Sequence, residues 1–249
     1  MAGIAPGMDQ GLSATAAAGT APGSGMPGAG RGRSVLLAGA TGLVGRALLA
    51  RLLADPGVSA VHALVRRPLA VDGGGTKLHA HVVDFAGLPP LPPVDEAYLA
   101  LGTTIAIAGS REAFRAVDFD ASLAVARAAL AAGARRIGLV SAMGADAGSR
   151  MFYSRAKGEL EEALSALPLD GLVIARPSLL LGDRDALGQP RRRRERIAAR
   201  LDRWLGPLLP APLRAIAAAD VAAALAHAVP GAQGRRVLAS AGMQGAACE

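Results

Sequence analysis

Short apolar runs and helix-period stretches alternate along this chain from residue 34 onward, and that alternation constrains the fold more than any other feature. SVLLAGA (34–40), VSAVHALVRR (58–67), KLHAHVVDF (77–85), DEAYLALGT (95–103), RRIGLVSAMGA (135–145) and DGLVIARPSLLLG (170–182) read as six strands, the fifth running into a loop. GLVGRALLARLLA (42–54), SREAFRAVDFDASLAVARAALAAGA (110–134) and SRAKGELEEALSAL (154–167) read as helices between them. LRAIAAADVAAALAHAV (213–229) adds a helix and RRVLASAG (235–242) a last short strand. Largely apolar strands separated by helices need a helical layer on each face. The expected fold class is therefore α/β: a Rossmann-like, doubly wound parallel sheet. LPPLPPV (88–94) reads as a rigid connector.

Residues 1–33 are Gly, Ala, Pro, Ser and Thr with few large apolar side chains. Such a composition buries too little surface to offset ordering entropy, so a disordered tail is expected. Residues 34–249 are expected to form one nucleotide-binding domain. The segment 183–213 breaks the rhythm and is expected to contribute a small substrate lobe; it holds Arg191–Arg194 and the single tryptophan, Trp204.

Net charge is +7, and all but two of the 27 basic residues are arginine, the lysines being Lys77 and Lys157. Basic runs without interleaved aromatics make a poor platform for single strands, and no nucleic-acid module is legible, so no nucleic-acid partner is expected. The one cysteine, Cys248, lies in a C-terminus expected to fray and cannot form an internal disulfide. That fits a reducing compartment, and a cytoplasmic location is expected. No stretch is long and apolar enough for a membrane span, and no secretion signal is legible. His79 and His81 share one face of a strand, but two histidines without a third ligand make a poor metal site, so no metal is expected.

Within LLAGATGLVGRALL (37–50), three glycines, Gly39, Gly42 and Gly45, stand between the first strand and the first helix. Gly39 permits a tight turn, Gly42 lets the backbone approach a pyrophosphate, and Gly45 lets helix and strand pack closely. A helix N-terminus there offers amides and a positive dipole end to phosphate. The spacing is GxxGxxG rather than GxGxxG, and a ligand-free strand-to-helix bend is the competing explanation. Arg66, at the end of the second strand, suits a 2′-phosphate, which a carboxylate would repel; this points to NADP. Asp84, after the third strand, suits either the adenine amino group or a loop cap.

Tyr153 and Lys157 stand four apart on a helix, sharing one face. An ammonium nearby favours the phenolate and makes the phenol a usable general acid toward a carbonyl. Ser141 ends the fifth strand, where its hydroxyl would orient the same carbonyl. The competing explanation has Tyr153 packing at a helix start and Lys157 pairing with Glu161.

With glycines, serine, tyrosine and lysine in this order, the chain resembles the short-chain dehydrogenase/reductase superfamily. Within it, the chain is similar to the atypical branch of Tat-interactive-protein-like oxidoreductases and bacterial epimerase-like proteins. ALGTTIAIAGSREAFRAVDFD (100–120), VSAMGADAGSRMFYSRAKGELE (140–161) and RPSLLLGDR (176–184) carry the branch-level likeness. The resemblance implies NADP binding, with Gly39, Thr41, Gly42, Leu43, Val44 and Gly45 in the phosphate turn and Arg66 at the 2′-phosphate. It places Leu101, Gly102, Thr103 and Pro177 along the cofactor, and Ser141, Tyr153 and Lys157 as the catalytic triad. Asp118 departs from the asparagine common in the superfamily, which puts its proton-relay water in doubt. The expected function is an NADPH-dependent oxidoreductase that transfers hydride to a small-molecule carbonyl, as monomer or homodimer. A non-catalytic NADPH-binding regulator or assembly factor is the first alternative, and a sugar-nucleotide epimerase or dehydratase the second. A semialdehyde dehydrogenase is excluded, because that chemistry needs a mid-chain cysteine.

Overall fold

The computed structural model describes residues 32–69, 75–181 and 214–248. The expected tail, apart from Gly32 and Arg33, lies outside the described residues, as do the segment 183–213, Arg191–Arg194 and Trp204. The chain runs β1 (Arg33–Ala38), α1 (Leu43–Ala54), β2 (Val58–Val65), β3 (Leu78–Val82), β4 (Glu96–Leu99), α2 (Ile105–Ala108) and α3 (Arg111–Arg115). A π-helical segment, Ala116–Ala121, leads into α4 (Ser122–Ala131). Then follow β5 (Arg136–Val140), α5 (Phe152–Ser165), β6 (Gly171–Arg176), β7 (Leu180–Leu181), β8 (Ile216–Ala217), α6 (Ala218–Ala228), β9 (Gly234–Ala239) and α7 (Ser240–Met243).

The main sheet has strand order β3-β2-β1-β4-β5-β6-β9, with every neighbouring pair parallel. This is the doubly wound α/β class. The order reverses between β1 and β4, and the crevice of such a sheet opens at the carboxyl ends of those two strands. Helices cover both faces. On one, Leu48 and Leu52 of α1 join Val221 and Leu225 of α6 over Val35, Leu37 and Val61. On the other, Val125 of α4 and Leu160 and Leu164 of α5 cover Leu36, Ala38, Leu99 and Leu139.

The strands stop earlier than their apolar runs suggest. Residues 39–40 and 100–103 are apolar or small, yet they leave the ladder at the carboxyl edge, and Gly39 and residues 100–103 line the crevice. The fifth strand runs into a loop as expected, and Ser141 at its end lines the crevice too. The expected helix 110–134 is interrupted by the wider π turn. The expected helix from residue 213 starts only at Ala218, because Ile216 and Ala217 pair with Leu180 and Leu181. Cys248 does not end a frayed tail: the Ala247 amide donates to Asp220 Oδ1 at 3.1 Å, and Arg51 Nη2 donates to the Ala247 carbonyl at 3.0 Å.

At the opposite edge of the sheet, Arg33 clamps Glu96 at 2.8 Å and Asp55 at 2.6 Å. Tyr98 donates to the same Glu96 carboxylate at 3.3 Å. Burial, then the Glu96 charge, push the Tyr98 phenol well above its ordinary range. Of the chain's two tyrosines, this one is fixed in the core as a neutral strut.

β2 and β3 place three imidazoles on one face. His62 and His79 are register partners whose rings stack at 5.1 Å, and His62 Nδ1 lies 3.0 Å from His81 Nε2. The single-strand reading of His79 and His81 missed His62, which the pairing of two strands supplies. No group of three His, Cys, Asp or Glu among the described residues is arranged to hold a metal ion. Burial, and then the neighbouring imidazoles, lower the pKa of both His62 and His81. A proton therefore binds these groups more readily in the unfolded chain than in the native one. Their contribution is intact above the unfolded value of about 6.5 and is lost as pH falls through it. Thermal melts should give a lower midpoint at pH 5.5 than at pH 7.5, and His62→Gln should narrow the gap; an unchanged gap would refute the account.

Candidate functional site

Packing inside the chain accounts for two of the three turn glycines. Gly39 has φ +91°, and a Cβ there would sit 2.3 Å from the Ala100 carbonyl oxygen. A Cβ on Gly45 would lie 1.9 Å from the Gly39 carbonyl oxygen. These positions let the turn touch the end of β4 and let α1 seat against the turn. Gly42 is different. Its nearest neighbour to a Cβ is 3.5 Å away, and the position faces open crevice. Gly42 caps α1 without a side chain, and no acidic residue stands in the first turn of the helix. The positive end of α1 is thus bare toward the crevice, a cradle that suits a pyrophosphate.

Two cavities, of about 650 and 510 Å³, adjoin over Gly42, Ala100 and Gly102. The first is lined by Gly39, Thr41, Gly42, Arg66, Asp84, Leu101 and Gly102. The second is lined by Gly42, Leu43, Val44, Arg66, Gly102, Thr103, Asp118, Ser141, Tyr153 and Lys157. Apart from Gly45, beneath the turn, and Pro177, whose carbonyl accepts from the Met143 amide at 2.9 Å, the expected site residues line this double crevice. Arg66 borders both halves. Asp84 Oδ1 caps its own loop by accepting from the Ala86 amide at 3.0 Å.

Tyr153 and Lys157 enter the second cavity from the first two turns of α5. The Tyr153 ring rests against the buried Phe114 of α3, centroids 5.6 Å apart, and Phe114 also meets Phe152 edge-on at 5.7 Å. Gly158 holds the helix in place: a Cβ there would lie 2.1 Å from the Ala147 nitrogen, so α5 packs directly on the loop that follows Ser141. Lys157 does not pair with Glu161. Its Nζ lies 2.6 Å from Asp118 Oδ1, with both side chains almost wholly buried. Asp118 Oδ2 accepts from the Thr103 amide at 2.8 Å. The π segment, a feature frequent at functional sites, thus presents a carboxylate that ties the loop after β4 to α5.

Ser141 reaches the cavity from the end of β5, but its proton points elsewhere. Oγ donates to Glu161 Oε1 at 2.5 Å. Arg176 Nε reaches the same oxygen at 3.0 Å, while Arg176 Nη2 at 2.6 Å and Arg235 Nη2 at 3.2 Å reach Oε2. Glu161 is 1% exposed. Its hydrogen bonds raise the pKa of Arg176.

No family model matches the chain. A mitochondrial FMP52 protein of Emericella nidulans is 37% identical over 162 residues, covering 61% of this chain and 69% of that protein. That of Candida albicans is 34% identical over 198 residues, covering 76% and 84%. The chain belongs to the FMP52 family. Among solved structures, an oxidoreductase of the short-chain dehydrogenase/reductase family from Burkholderia thailandensis superposes with TM-score 0.62 at 22% identity, covering 86% of this chain and 93% of that one. MoeE5 in complex with UDP-glucose and NAD gives 0.60 at 20%, covering 82% and 75%. The fold is that of the short-chain dehydrogenases/reductases, as the motifs implied. The cytoplasmic expectation is corrected: the FMP52 relatives are named mitochondrial proteins. One reduced cysteine fits any reducing compartment and so never distinguished among them. No helix among the described residues is long and apolar enough to cross a membrane.

Sequence reasoning missed Phe114, Arg176 and Arg235, and only its competing explanation gave Glu161 a partner, Lys157, which pairs instead with Asp118. Glu161 continues the stripe of Tyr153 and Lys157 at four-residue spacing, a signal that pointed inward. Arg235 gave none, since only the pairing of β9 with β6 brings it near. The buried ion pair carries a stability test. Asp118→Ala leaves Lys157 without a counter-charge and should cost about 3–5 kcal/mol. Asp118→Asn keeps an acceptor for Thr103 and should cost less. Denaturant titration checks the order; equal losses would refute it.

Proposed function

We propose that this chain is an NADPH-dependent oxidoreductase that reduces a carbonyl on a small molecule. The observation that carries the reading is that Ser141, Tyr153 and Lys157 share one cavity, which adjoins the bare glycine turn at the sheet's switch point. The glycine turn and the amino end of α1 would hold the pyrophosphate of the dinucleotide. Arg66, exposed beside both cavities, would pair with a 2′-phosphate and so favour NADPH. When bound, a reduced nicotinamide supplies hydride.

Tyr153 donates its proton to the substrate oxygen as the carbonyl becomes an alcohol, and is reprotonated from solvent. Phe114 holds the ring so that the hydroxyl faces the cavity. Lys157 keeps a fixed positive charge one helical turn away and offers donors to ribose hydroxyls. Ser141 bounds the oxygen's pocket. A second reading, an NADPH-binding regulator without turnover, draws support from the Asp118–Lys157 pair, because a carboxylate stands where it shares the lysine's charge.

NADPH oxidation against a panel of aldehydes, ketones and quinones separates the two. Tyr153→Phe should lower turnover by about 10²-fold or more and leave NADPH affinity within about twofold, as measured by fluorescence titration. Undiminished turnover in that variant would overturn the assignment, and tight NADPH binding with no turnover by the native chain would favour the regulator.

A further inference from the structure

Among the described residues, the exposed large apolar side chains are not scattered. Val82 and Val237 lie on β3 and β9, the two edge strands of the sheet. The other five, Ile105, Ile107, Met143, Met151 and Leu179, stand on the segments that follow β4, β5 and β6 at the carboxyl edge. Each of the five is within two positions of a residue lining the second cavity, and Ile107 lines it itself. Single exposed apolar residues are ordinary on a surface, whereas a group of them around a cavity marks a place for a ligand. The wall inside continues the pattern with Leu43, Val44, Val117, Val140 and Leu180. The charged side chains of the lining are Arg66, Asp118 and Lys157. Asp118 and Lys157 answer each other at 2.6 Å, and Arg66 stands where the two cavities meet. No charged group of this lining is left over for a substrate.

We propose that the second cavity takes an uncharged carbonyl compound with a hydrocarbon body, such as a straight-chain aldehyde, whose tail lies on Ile107 and Leu180 and leaves across the apolar rim. The inference rests on the oxidoreductase reading and names its substrate class. Each methylene that leaves water for this wall strengthens binding by about threefold. A phosphate or carboxylate on the substrate would lose its water here and meet no unpaired cation of the lining, which is costly. A sugar nucleotide, with its pyrophosphate, is disfavoured for that reason. The aldehyde carbon gains the hydride, its oxygen gains the Tyr153 proton, and NADPH leaves as NADP.

The test is a chain-length series. With NADPH, kcat/KM should rise by about threefold per methylene from butanal to octanal. Glyceraldehyde 3-phosphate, an anionic aldehyde, should fall at least about tenfold below octanal. Ile107→Asn changes an exposed residue of the wall and should lower the gain to under about twofold per methylene. Val237→Asn, an equally apolar change on the far edge strand, should leave the slope as it is. A flat series in the native chain, a preference for the anionic aldehyde, or the same slope in Ile107→Asn would overturn the proposal. A second measurement needs no turnover: calorimetric titration of 1-butanol, 1-hexanol and 1-octanol into the chain in the presence of NADP. Affinity should climb at about the same rate per methylene. If no aldehyde is reduced while alkanol affinity climbs with length, the oxidoreductase reading fails and the apolar site stands; equal affinities overturn the site itself. Sedimentation of the native chain and of Met151→Asp gives a third outcome. A dimer that Met151→Asp disperses would make the rim a contact between copies and overturn its role as the path of a substrate tail.

Discussion

Everything at this site hangs on a contact that only glycine permits. The turn after β1 presses its Gly39 against the Ala100 carbonyl at the end of β4, and α1 presses Gly45 against Gly39. With any side chain at either point, helix and turn would be forced away from the strands where the sheet reverses its winding. The amino end of α1 would then no longer face the crevice. The same contact brings the loop after β4 to the position where Thr103 meets Asp118, and through it Lys157. A backbone approach of atomic closeness, rather than a large apolar core, thus sets the distance between the glycine-turn half of the crevice and the half that Tyr153 and Lys157 enter.

The architecture was legible because its signals are local. Apolar runs marked the strands, helix-period stretches marked the layers, and glycines marked the turn. Ser141, Tyr153 and Lys157 were legible because a strand end and one helical stripe were enough to place them. What the sequence hid is tertiary. The π-helical turn at Ala116–Ala121 has no distinctive composition, yet it decides that Asp118 points at Lys157. His62 joins His79 and His81 only once β2 and β3 are in register. Arg176 and Arg235 lie 59 residues apart in sequence, and nothing but the parallel pairing of β6 with β9 delivers both to Glu161. Strand ends were overestimated for a related reason: the apolar character of residues 100–103 serves a crevice wall, not a ladder.

Two buried carboxylates divide the labour. Asp118 answers Lys157 from the cavity side, and Glu161 answers Ser141 from the interior side. Burying either unpaired would be costly, and both are paired by cations that the sheet and helix layers bring in. The arrangement differs from a site in which lysine and serine are free to follow the substrate. Here each has a fixed obligation before any ligand arrives, so the site is stiff.

That stiffness bears on specificity. A hydroxyl that can rotate serves as donor or acceptor and tolerates many substrate oxygens. Here the Ser141 proton goes to Glu161, whose carboxylate also takes three guanidinium donors. Turning that proton away would leave Oε1 with Arg176 Nε alone and cost the carboxylate one of its four hydrogen bonds, in a place with almost no solvent. A ligand that draws the proton to itself must make up for that bond.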